Sequence, residues 1–488
     1  MKSGRDIRAL PGDDEGAIIV FWAVTLVVVL GIVALSFDFG QNASTQSELQ
    51  SYADQVALAA AGELDGKSDA ITRATAAAAN LIVDQQTFAT GARALAGNAS
   101  YRLTFYKSLP ANDTDSINPG VTTVPAAAIY AGVKVTPRTV PFSFTGAFDA
   151  LRGGTTANPT IGATAVAGFT QYACDITPLM FCIPSPTFRA DANIGKMILL
   201  RAGGNGAAWG PGDFGFLDPT GLQVDPSGNC AGLNGAQLTA CLIGGTGALT
   251  QCFSQRGVNT EPGQKVGLEN SAYNVRFDMY GTLMNSKKNN PIFAPAPNVI
   301  KGIVPKGNGS SCVANNPQTS PNTVALPRDT CFGTGTCANG NRFGDGNWTT
   351  GRTNYVTKNY GVADPHASAT TRYAYYKAEI ISAGGGASTT RILPASRAES
   401  GRPICSNQQS SDPDRRVVIA AGIDCAANPI RGNTTGIPVN EFVRLFLTEP
   451  VGSTTTFDMY GEVVGSAESS GGGSGAGGIF HDVVQLYR

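Results

Sequence analysis

Residues 17–37, AIIVFWAVTLVVVLGIVALSF, hold no charged side chain. As a helix rising 1.5 Å per residue this run spans about 30 Å, the thickness of bilayer hydrocarbon. Beyond it the pattern changes without breaking: Leu49, Tyr52, Ala53, Val56, Ala60 and Leu64 recur at helical spacing, with Gln, Ser, Glu and Asp between them. No proline occurs from Gly12 to Leu109. The spacing predicts an amphipathic stalk growing out of the apolar helix, followed by an alanine-rich helix over Ala70–Phe88 with Ile71, Ala74, Ala78, Leu81 and Ile82 along one side. The small residues Ala53, Ala57, Ala60 and Ala61 would let a partner helix approach closely.

Past residue 100 the periodicity shortens. One proline lies before Leu109 and the other 27 lie after it. Short β-like runs are predicted at Tyr101–Tyr106, Ala131–Thr136, Ala163–Tyr172, Met197–Arg201, Tyr273–Tyr280, Tyr373–Ile381, Val417–Ile423 and Phe442–Thr448. Gly, Pro, Asn and Thr punctuate them, which signals a mainly antiparallel sheet or sandwich. The pentapeptide Phe-Asp-Met-Tyr-Gly stands at 277–281 and again at 457–461, and its unmatched flanks read as two similar strand ends rather than a duplicated domain. Between about 203 and 350, glycine and asparagine are dense and six of the ten cysteines gather, as in a disulfide-pinned insertion. Ser466–Gly478 reads as a flexible loop, and alternation returns over Ile479–Tyr487, a run able to close a sheet edge. The expected fold class is α+β: a leader over 1–15, a transmembrane helix over 16–37, a helical stalk over 38–97, and a β-rich body over 98–488.

Charge sets the topology. Lys2, Arg5 and Arg8 precede the apolar run and no Lys or Arg follows until Lys67, so the N-terminus is expected in the cytoplasm and the body outside. A cleaved signal peptide is the competing reading, with Ile18–Leu30 as its apolar core and Ala34-Leu35-Ser36 as a small-residue cleavage site. Against it, the run continues past Gly31 without turning polar. Prepilin trimming cuts after a glycine and leaves a glutamate five residues on; after Gly16 that position is Phe21.

The order of basic leader, Glu15-Gly16, apolar helix, Ser36-Phe37-Asp38-Phe39-Gly40 and Leu49-Gln50-Ser51-Tyr52-Ala53-Asp54-Gln55-Val56-Ala57-Leu58-Ala59-Ala60-Ala61 resembles the N-terminus of the TadG-like proteins of Flp pilus assembly, part of the bacterial tight-adherence (Tad) machinery. CDITPLMFCIP at 174–184, WGPGDFGFLDP at 209–219, RFGDGNW at 342–348 and RRVVIAAGIDC at 415–425 are similar to longer members of that group. The resemblance implies a membrane-anchored assembly component with pilin-like and other Tad partners. Many such proteins carry a von Willebrand factor A domain whose metal loop reads Asp-x-Ser-x-Ser. Here the nearest stretch is Asp225-Pro226-Ser227-Gly228-Asn229, which substitutes asparagine for the last serine and reads as a β-turn, so that metal is not expected.

All ten cysteines lie beyond the apolar run, which suits an oxidising compartment and structural disulfides. Proximity pairs Cys405 with Cys425 and Cys331 with Cys337. With 35 Lys and Arg against 36 Asp and Glu there is no basic surplus for nucleic acid. The two histidines, His366 after Asp364-Pro365 and His481 beside Asp482, read as loop or surface residues rather than catalytic bases. Gly66-Lys67-Ser68 lacks the upstream glycine of a phosphate loop and reads as a helix break. Asp213-Phe214-Gly215 stands without other kinase elements, and GGSGA at 472–476 is not a nucleophile elbow. Asn339–Asn347, with Asp345-Gly346-Asn347, has oxygen ligands but the spacing of an Asx turn rather than of a calcium loop. The expectation is therefore no enzyme: no catalytic, cofactor-binding or metal residue, no cofactor and no small-molecule substrate. The favoured reading is a structural component of a Flp pilus in the bacterial inner membrane, with its large C-terminal body in the periplasm. A membrane-anchored or secreted adhesin is the alternative, and a secreted hydrolase comes third because histidine is scarce.

Overall fold

The computed structural model describes residues 15–110, 112, 115–151, 153–155, 157–174, 176–202, 209–218, 230–245, 252–254, 257–261, 268–307, 312–313, 317–361, 363–452, 458–467 and 480–487. They form two compact units, Met1–Thr170 with Asp482–Arg488, and Gln171–His481. The first unit thus extends well past the boundary expected near residue 98.

The first unit is built on a 47-residue helix, α1 (Glu15–Ala61). It ends at Ala61, and the chain turns through Gly66, whose φ of +82° is open to glycine at little cost. Arg73 of α2 (Ala70–Asn80) holds the turn together, with Nη2 on Asp65 at 2.7 Å, Nε on Asp69 at 3.2 Å, and an ion pair to Glu63. The alanine helix stops at Asn80, short of the expected Phe88; the chain then becomes extended as a small hairpin, β1 (Val83–Gln85) with β2 (Ala94–Ala96). The helical stalk expected over 38–97 is therefore two helices and a hairpin. Next come β3 (Tyr101–Tyr106) and β4 (Tyr130–Val135), antiparallel from Tyr101↔Val135 to Tyr106↔Tyr130. The short pair β5 (Arg138–Thr139) and β6 (Thr160–Ile161) brackets a helix, α3 (Phe144–Leu151). Strand β7 (Thr164–Cys174) then lies antiparallel to β4. Alternate residues of these strands, Ala131, Val133 and Val135 with Ala165, Ala167 and Phe169, turn one face of the sheet onto α1.

The second unit centres on a closed barrel. Its strands are β8 (Leu179–Cys182), β9 (Met197–Ala202), β10 (Asp213–Phe216), β14 (Val417–Ile423), β15 (Glu441–Leu447) and β16 (Asp458–Ser466), in the order β10-β8-β14-β15-β16-β9. Four neighbouring pairs are antiparallel; β8 with β14 and β9 with β10 are parallel. The expected mainly antiparallel sheet is found, and it closes on itself as a barrel rather than stacking as a sandwich. Between β10 and β14 the chain adds β11 (Cys252–Ser254), which pairs with the end of β7, and a hairpin of β12 (Ile303–Pro305) with β13 (Pro317–Thr319). Period two sorts the strand residues: Leu179, Phe181, Val418 and Ala420 join one core, while Met180, Cys182, Ala421 and Ile423 join another. Both faces are covered, so these strands read as unbroken apolar runs. The last strand, β17 (Phe480–Leu486), pairs with β7, and Tyr487 N–H donates to the Val166 carbonyl at 2.8 Å. The expected terminal strand is thus found.

Two expected strands are helical. Arg372–Ser382 is a helix whose buried Arg372, Tyr375, Tyr376, Glu379 and Ile380 repeat at three and four, with Thr371 Oγ1 accepting from Ala374 N–H at 3.1 Å as its N-cap. The aromatic content argued for a strand, but the period was helical. Likewise Leu268–Asn274 is a helix, followed by a tighter turn over Val275–Phe277. In the first copy of Phe-Asp-Met-Tyr-Gly, Asp278 takes φ +61° and accepts from the backbone N–H groups of Ile404, Cys405 and Ser406. The second copy enters β16, so the two are not similar strand ends.

The disulfides Cys182–Cys425, Cys230–Cys241, Cys312–Cys405 and Cys331–Cys337 are formed. The pairing of Cys405 with Cys425 is corrected. Parallel pairing of β14 with β8 sets Ile423 beside Cys182, which brings Cys425 to a partner 243 residues away.

Candidate functional site: the two halves of the N-terminal helix

Helix α1 changes environment along its length. From Ile19 to Leu35 every large apolar side chain is between 47 % and 72 % exposed. Its most apolar 18 residues have a mean hydropathy of 2.7, and the helix is long and apolar enough to cross a membrane. From Leu49 onward the apolar face is closed: Leu49, Tyr52, Ala53, Val56, Ala57, Ala60 and Ala61 are all 0 % exposed. They pack against α2 and the sheet, together with Leu95, Tyr101 and Val133. The alanines expected to admit a partner helix are therefore occupied within the chain, because small side chains let β4 lie close to α1. Sequence periodicity shows that a helix has an apolar face; it does not show what covers it.

Polar clasps hold α1 to the rest of its unit. Glu48 accepts from the Thr87 N–H at 2.9 Å and its hydroxyl at 2.7 Å. Gln50 Nε2 donates to the Thr164 carbonyl at 3.0 Å and to Asp54 Oδ1 at 2.8 Å. Asp38, one residue beyond the apolar run, is 1 % exposed. Its Oδ1 accepts from the N–H groups of Ser143 (3.1 Å) and Phe144 (3.3 Å), and its Oδ2 from that of Thr145 (2.7 Å). Burial pushes its carboxyl up, but hydrogen bonds from Thr145, Phe144 and Ser143 outweigh that and hold it below the usual aspartate value. The Phe37 and Phe144 rings meet edge to face with centroids 5.1 Å apart. No local signal singled out Asp38, because its partners lie 105 to 107 residues further along.

The residues singled out from the sequence fall into separate places. Ala34-Leu35-Ser36 continues α1, with the Ser36 hydroxyl donating to the Ile32 carbonyl at 2.8 Å. Gly66-Lys67-Ser68 is the turn between α1 and α2. Asp213 lies in β10 and pairs with Arg342 at 2.8 Å. Asp345 Oδ1 accepts from Asn347 N–H at 3.0 Å, which is an Asx turn. His366 N–H donates to Asp364 Oδ1 at 2.9 Å, while Asp364 Oδ2 takes Arg352 Nε at 2.7 Å. Burial lowers the imidazole's proton affinity, and its ring lies edge-on to Tyr375 at 5.0 Å. Asp225–Asn229 and GGSGA at 472–476 lie outside the described residues, as does the His481 side chain.

No curated protein and no solved structure matches the chain. Residues 16–63 match the Tad family of Flp pilus-assembly TadE/G-like proteins. The matched segment takes in both halves of α1, bare and buried, and ends within two residues of the helix's own end at Ala61. The chain therefore carries a TadE/G-like Flp pilus-assembly domain at residues 16–63.

Proposed function

We propose that this protein is a non-enzymatic structural component of a bacterial Flp pilus assembly, anchored in the inner membrane by the first half of α1. Its N-terminus lies in the cytoplasm, while the first unit beyond the bare half of α1 and the whole second unit lie in the periplasm, where the cysteines of the second unit oxidise. The observation that carries this reading is the TadE/G-like match on a helix whose first half is bare and apolar while its second half is locked into a folded unit. Such a helix transmits the position of the membrane rigidly to the sheet. With Ala53, Ala57, Ala60 and Ala61 already covered, pilin-like and other Tad partners are left the membrane half of α1 and the outer surfaces of the units. Bare apolar helices in lipid associate by packing rather than by the hydrophobic effect.

The test is deletion of the gene in its host, followed by imaging of fibres and carbonate extraction of the complemented protein. Loss of fibres, with carbonate-resistant protein that keeps its N-terminus, is expected. Normal fibres with weakened adherence would replace this reading with an anchored adhesin. Recovery from the medium with a start near Phe37 would remove the anchor altogether.

A further inference from the structure

We infer that α3 and the phenylalanines around Asp38 form an aromatic collar that lies in the lipid interface on the outer side of the bilayer. The inference rests on the reading that α1 spans the membrane. If residues 17–36 fill about 30 Å of hydrocarbon, then Phe37, Asp38 and Phe39 fall at the boundary between acyl chains and headgroups. Aromatic side chains collect at that depth. Phe37 and Phe39 are 50 % and 60 % exposed, and two residues along a helix separate them by about 200°, so they face opposite sides of α1. Against Phe37 sits Phe144, the first residue of α3, itself 48 % exposed.

A short helix enters a poorly hydrated layer only if its free N–H groups are satisfied. Asp38 does this. Its two oxygens take the N–H groups of Ser143, Phe144 and Thr145, so the first turn of α3 presents rings outward and no unpaired donors at those positions. The carboxylate is spared in turn, since three donors replace the water that it loses. The bare surface of Ile19–Leu35 runs on to Phe37, Phe39 and Phe144 with the one charge among them, Asp38, covered; the charge that α3 itself carries, Asp149, stands five residues past Phe144. Lipid is the occupant that this continuity selects. A lipid surface also needs no shape complement, which suits rings set on opposite sides of one helix.

The experiment uses the full-length, disulfide-intact protein in phosphatidylcholine nanodiscs with doxyl-labelled lipids as quenchers. Comparing wild type with Trp22→Phe reads α1 itself. In the Trp22→Phe background, Phe144→Trp reports the collar and Lys67→Trp serves as reference, since α1 from Asp38 to Ala61 alone places it roughly 35 Å further along the axis. The expected result is at least threefold stronger quenching at position 144 than at 67, greatest with the label near the headgroup. In that background Asp38→Ala should abolish most of the difference, whereas Asp38→Ala in the otherwise wild-type chain should leave Trp22 quenched. Quenching at 144 no stronger than at 67, with Trp22 quenched, overturns the collar and leaves the anchor intact. A blue-shifted but unquenched indole at 144 overturns it in favour of a protein neighbour. If Trp22 is not quenched, the spanning reading fails, and the collar with it.

Discussion

Single residues in the second unit carry charge where water does not reach. Arg372 is fully buried, pairs with Asp329 and reaches Glu462 Oε2 at 3.0 Å. Removing one member of such a group strands the others, and Arg372→Met is expected to destabilise the unit by about 3–5 kcal/mol in denaturant titration. Glu379 is the more informative group. Burial raises its carboxyl from 4.5 to about 7, against hydrogen bonds from Tyr355, Tyr360 and Asn298 and the nearby Arg416, which pull it down. The folded chain then keeps a proton that the unfolded chain releases between those values. Stability from this group is therefore complete below the unfolded value near 4.5 and is lost as pH rises through about 7. Glu379→Gln should flatten this slope, sparing on the order of 3 kcal/mol of loss between pH 4.5 and 8; unchanged pH dependence of the unfolding midpoint would refute the assignment. In the first unit, Gly168 is wedged between rings. A Cβ there would stand 2.6 Å from Tyr130 Cδ1 and 2.8 Å from Tyr487 Cε2, so Gly168→Ala is expected to cost about 1–3 kcal/mol, partly restored by Tyr487→Ala.

Among elements, α1 is the one whose halves answer to different solvents. Ala57→Leu adds three carbons where α1 packs in a closed core, and should lower the thermal midpoint of the first unit by an amount equivalent to about 1–3 kcal/mol. Ala23→Leu lies in the bare half and should leave that midpoint unchanged; equal effects at both sites would contradict the division. The helix Arg372–Ser382 depends on its cap. Thr371→Ala removes the acceptor for Ala374 N–H and should cost about 1 kcal/mol, read by urea titration. This helix also shows how an element hides in composition. RYAYYKAEIIS is rich in strand-favouring residues, yet its buried positions fall at a spacing of three and four, and packing overrides propensity.

At the scale of the molecule, closure of the barrel and of the first unit depends on segments far apart in sequence. The Cys182–Cys425 bridge links ends 243 residues apart, and replacing both cysteines with serine is expected to cost about 2–5 kcal/mol and to speed proteolysis of the second unit. The first unit likewise needs Asp482–Arg488 to return beside β7. What the sequence determined by itself was local: the length and apolarity of residues 17–37, the helical period that continues to Ala60, the strands from Val417 to Ile423 and Phe442 to Thr448, and the Cys331–Cys337 bridge six residues apart. These follow from neighbours along the chain, which repeat periods fix. Tertiary structure alone decided which face of α1 is covered, that the sheet of the second unit closes, that Cys425 meets Cys182 rather than Cys405, and that Asp38 caps α3. Each of these joins segments that are not neighbours along the chain, Asp38 with Ser143 across 105 residues and Cys182 with Cys425 across 243. No spacing in the sequence encodes such a pair, because it is set by which surfaces bury each other when the whole chain packs.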